Sequence, residues 1–179
     1  MDGARPEQMI DTLVIEGKPM TSRLRLLDTG LPFTTYYPED DLSLHQNRSE
    51  EGTALRFEGN FGGKANKEIS IHFFFPSVTA SLSEMNEYVA GEQGAMAVAD
   101  WKATGPAAMN CPWANISYLY TDIRQPGTGG AICIGQHHGG AFYMITHYPA
   151  EFAGPIETRL ARILAQLRWK DTGTELRKE

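Results

Sequence analysis

Asn115-Ile116-Ser117-Tyr118-Leu119-Tyr120-Thr121-Asp122-Ile123 alternates its side chains with period two, so that Ile116, Tyr118 and Tyr120 share one face of a strand. Gln125-Pro126-Gly127-Thr128-Gly129-Gly130 turns the chain into a second strand, Ala131-Ile132-Cys133-Ile134-Gly135-Gln136. His137-His138-Gly139-Gly140 turns it again into a third, Ala141-Phe142-Tyr143-Met144-Ile145-Thr146-His147-Tyr148. Three strands in succession with tight turns between them form an antiparallel meander. In this register Cys133 is expected beside Tyr120 and Met144. Cys111 is expected far from it, so no disulfide is expected.

Downstream, Gly154-Pro155 opens a helix, since proline is pre-set for the first helical position. Glu157 in the first turn suits the helix dipole. Ile156, Leu160, Ile163, Leu164 and Leu167 make one apolar stripe, with Arg159, Arg162 and Arg168 outside it. Each such side chain contributes about 1.5–3 kcal/mol when buried, so this stripe should seal the sheet. Residues 170–179 read as a polar, frayed tail. Upstream, Ser81 and Glu84 have capping-box spacing, and Leu82, Met85 and Val89 recur on one helical face. Gly91 and Gly94 weaken that helix. Residues 100–112, with Gly105, Pro106 and Pro112, read as a connecting loop.

In the first half, residues 1–9 read as loose. Thr12–Ile15 and the alternating Arg23–Leu26 read as an N-terminal hairpin over 10–28. Leu31–Tyr37, Ala54–Glu58 and Glu68–Phe75 read as strands, and the acidic residues 38–52 as a surface loop. The expected class is α+β: a central antiparallel sheet with two main helices, in the order hairpin, β-β-β-α-β-β-β-α. Residues 1–179 form one domain on this reading, with a hairpin extension at 10–28, a core at 31–169 and a tail at 170–179.

Lys and Arg number 16 against 22 Asp and Glu, a formal charge of −6. With no basic stripe, no nucleic-acid partner is expected, because phosphate binding needs clustered cations. An anionic membrane surface is disfavoured likewise. No stretch reaches the ~20 apolar residues of a membrane span. The first residues lack a basic segment followed by an apolar run. The chain as given is expected to be soluble, with an exported protein or lipoprotein whose signal has been removed left open. Two cysteines are expected to make neither a disulfide framework nor a four-ligand zinc site.

Chemistry-bearing motifs are sparse. His137-His138 is the pair best suited to a transition metal, but it needs a third ligand. His147 lies at the far end of its strand, and His72 and His45 lie on other elements. Exposed turn residues are the alternative, and no metal or catalytic residue is expected. Cys111-Pro112-Trp113 offers a thiol without a neighbouring base. Gly127-Thr128-Gly129-Gly130 leads into a strand, whereas phosphate loops lead into a helix. Glu39-Asp40-Asp41 lacks the spacing of a calcium loop. Tyr36, Tyr37, Tyr118, Tyr120, Phe142, Tyr143 and Tyr148 crowd the strands, and some must face a side without a helix. Tyr36, Trp113, His137 and His138 are the candidate binding residues.

Leu31-Pro32-Phe33-Thr34-Thr35-Tyr36-Tyr37-Pro38, and Tyr148-Pro149-Ala150-Glu151-Phe152 leading into a helix that ends Ile163-Leu164-Ala165-Gln166-Leu167-Arg168-Trp169, resemble the PsbP-like fold over residues 24–169. That fold is shared by extrinsic photosystem II proteins, a Ran-binding nuclear transport factor and many bacterial lipoproteins. The resemblance implies an α/β/α-type sandwich and a non-enzymatic accessory role, docking on a protein partner without a cofactor. A fold does not fix a function, and no functional residue carries over. The rival expectation is a small molecule, a metal ion or an enzyme site near the 100–113 loop or the His137-His138 turn. Self-association as a homodimer through a bare strand edge is a third.

Overall fold

A computed structural model describes residues 4–105 and 111–179. The chain runs β1 (Gln8–Ile15), β2 (Lys18–Leu27), β3 (Phe33–Pro38), β4 (Leu42–Arg48), β5 (Gly52–Phe61), β6 (Lys64–Pro76), α1 (Leu82–Ala90), the single-turn α2 (Ala95–Val98), β7 (Trp101–Gly105), β8 (Ile116–Asp122), β9 (Thr128–His137), β10 (Gly140–Pro149), α3 (Ala153–Ala165) and β11 (Arg168–Trp169). The strands form two antiparallel sheets, one in the order β4-β5-β6-β10-β9-β8-β7 and one in the order β1-β2-β3-β11. The α+β class stands, and β8-β9-β10 is the expected meander.

Pairing decides which side chains share a face. Leu55, Phe73, Met144 and Cys133 lie opposite one another in turn across β5, β6, β10 and β9. All four are fully buried, against α3 and the smaller sheet. One residue along, His72, Ile145 and Ile132 form a row on the opposite face. There Ile132, Ile134 and Ile145 pack with Met85, Val89 and Met96 of α1 and α2. Ser81 and Glu84 make the expected capping box: the Glu84 amide donates to Ser81 Oγ, and the Ser81 amide to Glu84 Oε2. On α3, Ile156, Leu160 and Ile163 are buried, as is Leu167 just beyond it.

Several expectations need correction. Residues 38–52 are not all loop, because Leu42–Arg48 pairs with β5. The expected 100–112 loop begins as strand β7, paired with β8, and its residues 106–110 lie outside those described. The N-terminal hairpin pairs onto β3 through Leu24 to Leu27, so Phe33–Pro38, the strand within the expected Leu31–Tyr37, belongs to the smaller sheet. Cys133 faces Met144 as expected, but its partner on β8 is Ser117, since Tyr120 faces Gly130. Cys111 is not remote: it packs against the core cluster that holds Cys133, and both cysteines are free. Arg159 is buried at 4% exposure although it lies off the apolar stripe. Its guanidinium donates to Asp41 at 2.9 Å and lies over the Phe61 ring. Finally, the tail is packed. The Gly173 amide donates to the Trp169 carbonyl, and the Trp169 amide to the Thr174 carbonyl. This turn brings Leu176 into the main core at 3% exposure.

Two outcomes follow. Leu176→Ala should destabilise the protein by about 2–5 kcal/mol in denaturant unfolding, as for other buried leucines, whereas a frayed tail would leave the midpoint unchanged. Acidification should also destabilise it. Burial, and then the Arg56 charge, lower the His72 imidazole below its ordinary value, and burial first of all lowers His147. A depressed histidine supplies stability above the unfolded value of about 6.5 that is lost as pH falls through the folded value. Melting temperature should therefore fall from pH 7 towards pH 5 (about the range where unfolded histidines take up protons), and His72→Gln should flatten that fall.

Candidate metal centre

The β9–β10 turn pairs His137 with Gly140 around two central residues, His138 at φ 49° and Gly139 at φ 76°. Positive φ at both central positions is the type I′ pattern, whose twist matches that of the strands. Glycine adopts it freely, while histidine is one of the few other residues found there. Strand alternation would send His137 and His138 to opposite faces, and the left-handed His138 breaks that alternation. The two rings lie 4.0 Å apart between centroids.

The third group comes from the tail. The turn that seats Leu176 holds Asp171 over the histidines. Its Oδ2 lies 2.9 Å from His137 Nε2 and 2.7 Å from His138 Nε2. Together the three residues offer ligand atoms that all lie within 4.8 Å of one another. Glu179 approaches from behind, with Oε1 3.1 Å from His137 Nδ1 and accepting the His138 amide at 3.2 Å. The His137 ring stacks on Trp169 at 3.8 Å, and its side chain is 12% exposed against 71% for His138.

This geometry makes an electrostatic demand. A neutral imidazole has one N–H donor and one lone pair. If His137 donates Nδ1–H to Glu179, its Nε2 lone pair faces the Asp171 carboxylate. Two acceptors at that distance repel unless a cation lies between them. A metal ion held between the two acceptors would relieve that repulsion. Hydrogen bonds from His138 and then His137 hold the Asp171 carboxyl down to about 2. Burial pushes the Glu179 carboxyl up, but the His138 amide and the His137 ring outweigh it, so it lies below its ordinary value. Two carboxylates thus face two imidazoles, with Arg177 and Lys178 on the rim of the same cleft.

Of the expected binding residues, His137 and His138 meet directly. Trp113 joins them indirectly: it stacks on Phe142, and Phe142 meets Trp169 edge to face. Trp113 is itself buried, with no partner for its Nε1 among the described residues. Tyr36 is elsewhere, buried in the smaller sheet with its hydroxyl donating to the Pro6 carbonyl. Asp171, Glu179 and Trp169 escape the sequence reading, and the only hint of them is Leu176, a lone apolar residue in a polar run.

Other titratable groups are committed to structure. The neighbouring Cys133, reinforced by burial, drives the Cys111 thiol far above its ordinary range, which disarms it as a nucleophile. The Tyr120 hydroxyl lies 2.7 Å from the Thr146 carbonyl and 2.9 Å from His147 Nδ1, and Trp101 stacks on Tyr120 at 4.3 Å. Burial raises that phenol far above its usual value, so it serves as a fixed neutral donor. No described helix is long and apolar enough to cross a membrane. No family model, no curated protein and no solved structure matches this chain.

Proposed function

We propose that this protein binds a divalent transition-metal ion at the β9–β10 turn, through Nε2 of His137, Nε2 of His138 and a carboxylate oxygen of Asp171. The observation that carries this is the shared Asp171 oxygen within 2.9 Å of two ring nitrogens, while Glu179 occupies the remaining nitrogen of His137. A ligating histidine commonly donates its other ring N–H to a carboxylate, which fixes the tautomer and aims the lone pair at the metal. Two imidazoles and one carboxylate suit zinc, cobalt, nickel or copper better than magnesium or calcium, which favour oxygen donors. Three protein ligands leave one coordination position to water.

Zinc should raise the melting temperature, the stabilisation reaching about 2.7 kcal/mol at a hundred times the dissociation constant. Magnesium and calcium should not. Cobalt(II) should give visible d–d absorption that His138→Ala and Asp171→Asn abolish. Glu179→Gln should weaken binding by about 10–100-fold. Absence of both the thermal shift and the cobalt band would end the metal reading.

A second reading, an accessory domain that docks on a protein, draws support from the N-terminal hairpin and from the PsbP-like resemblance. β1 is an edge strand whose Leu13 and Ile15 are buried while Ile10 and Val14, on the other face, stand 74% and 58% exposed. An unpaired strand edge beside exposed apolar side chains favours association. Sedimentation at several concentrations should then show self-association or added-partner binding that Ile10→Ser with Val14→Ser removes without lowering the melting temperature.

A further inference from the structure

A second cleft lies on the opposite face of the larger sheet from α3, between α1 and the β4–β5 turn. Its volume is about 510 Å³, within the size range of small-molecule sites. Phe74, Met85 and Tyr88 form its apolar side, and Glu50, Glu51 and Glu84 supply its charge. Among the described residues no Lys, Arg or His lines it. Tyr88 is 53% exposed and stacks on Phe74 and Tyr143, so one of its ring faces is supported from below.

Hydrogen bonds fix the walls of the cleft. The Ser77 amide donates to the Glu51 carbonyl, and the Ser77 hydroxyl donates to the Glu50 carbonyl. The Ala141 amide on β10 donates to the Ala80 carbonyl. Ser81 then caps α1. The segment between β6 and α1 is therefore tied to a neighbouring strand or turn at both ends. Gly52 permits the close approach at the turn, since an added Cβ would lie 2.2 Å from the Phe75 carbonyl oxygen. Hydrogen bonds from the Ser81 amide and hydroxyl hold the Glu84 carboxyl below its ordinary value, so it stays ionised. A site ordered in advance loses less entropy when a ligand enters.

From this charge complementarity we propose that the cleft binds a small organic cation with an apolar body, an aryl- or alkylammonium. The apolar body would lie on Phe74 and Met85. The ammonium would lie over the Tyr88 ring and face Glu50 and Glu51, combining a cation–π contact with paired charge. Neutral molecules would lack both terms, and anions would meet three carboxylates.

The test compares three probes of one shape on the full chain by titration calorimetry: 4-phenylbutylamine, 4-phenylbutan-1-ol and 4-phenylbutyrate. The amine should bind about tenfold more tightly than the alcohol, from one exposed ion pair plus one cation–π contact. The carboxylate should bind more weakly than the alcohol. Glu50→Gln with Glu51→Gln should bring the amine down to the alcohol's affinity. Both side chains are exposed, and Ser77 donates to the main-chain carbonyls of these residues, which the substitutions keep, so this variant should fold. Tyr88→Ala should weaken the amine more than the alcohol. Equal binding of all three probes, an amine preference untouched by the double substitution, or no binding of millimolar amine would each overturn the proposal.

Discussion

Everything in this fold depends on a sheet whose centre has no solvent face. Ala131 to Ile134 on β9 and Ala141 to Ile145 on β10 are buried without a break. Two central strands buried on both sides require a covering layer above and another below. α1 and α2 supply one, through Met85, Val89 and Met96. α3 and the smaller sheet supply the other, through Ile156, Leu160, Ile163, Phe33 and Leu27. The second layer is wide enough to draw Arg159 inside with the aliphatic stripe. A buried guanidinium is tolerable only when its charge and donors are met. Asp41 and the Pro155 carbonyl meet them, and the Phe61 ring lies beneath its plane.

What could be read from the sequence was local. The meander, the Ser81–Glu84 cap and the α3 stripe each rest on a period or on a spacing within one element. The failures were of another kind. β4 is Leu42-Ser43-Leu44-His45-Gln46-Asn47-Arg48, an edge strand whose second half is exposed and polar, and ladder pairing with β5 rather than apolar alternation defines it. β7 is likewise an edge strand, with Lys102 to Thr104 exposed. The Cys133–Ser117 register depends on where the β8–β9 turn closes, and a few residues of error there moved the expected partner to Tyr120. Arg159 looked solvated because helical periodicity says nothing of an acid on β3–β4, 118 residues away in the chain.

The candidate site divides the same way. His137 and His138 were legible as a pair beside two glycines. Asp171 and Glu179 were not, because only the tertiary seating of Leu176 brings them back, 33 to 42 residues downstream. The site is tied to the core by rings. Trp113, Phe142, Trp169 and His137 touch in series from the interior to the surface. That series fixes the plane of the His137 imidazole, which no hydrogen bond from a flexible surface side chain would do alone.

Both sites lean on the first residues of β10. Gly140 closes the turn that carries the histidines, and the Ala141 amide next to it anchors the wall of the acidic cleft through Ala80. Left-handed backbone at a residue with a side chain is costly, and its surroundings can offset the cost. At His138 they do: the ladder on one side, the Glu179 carboxylate on its amide, and the Asp171 carboxylate on its ring all hold one conformation. A solvated hairpin turn needs none of these and would be served as well by asparagine and glycine. Two acids brought back from a distant segment to meet both histidines are more than turn formation requires, since Glu16 makes the same left-handed turn between β1 and β2 without them.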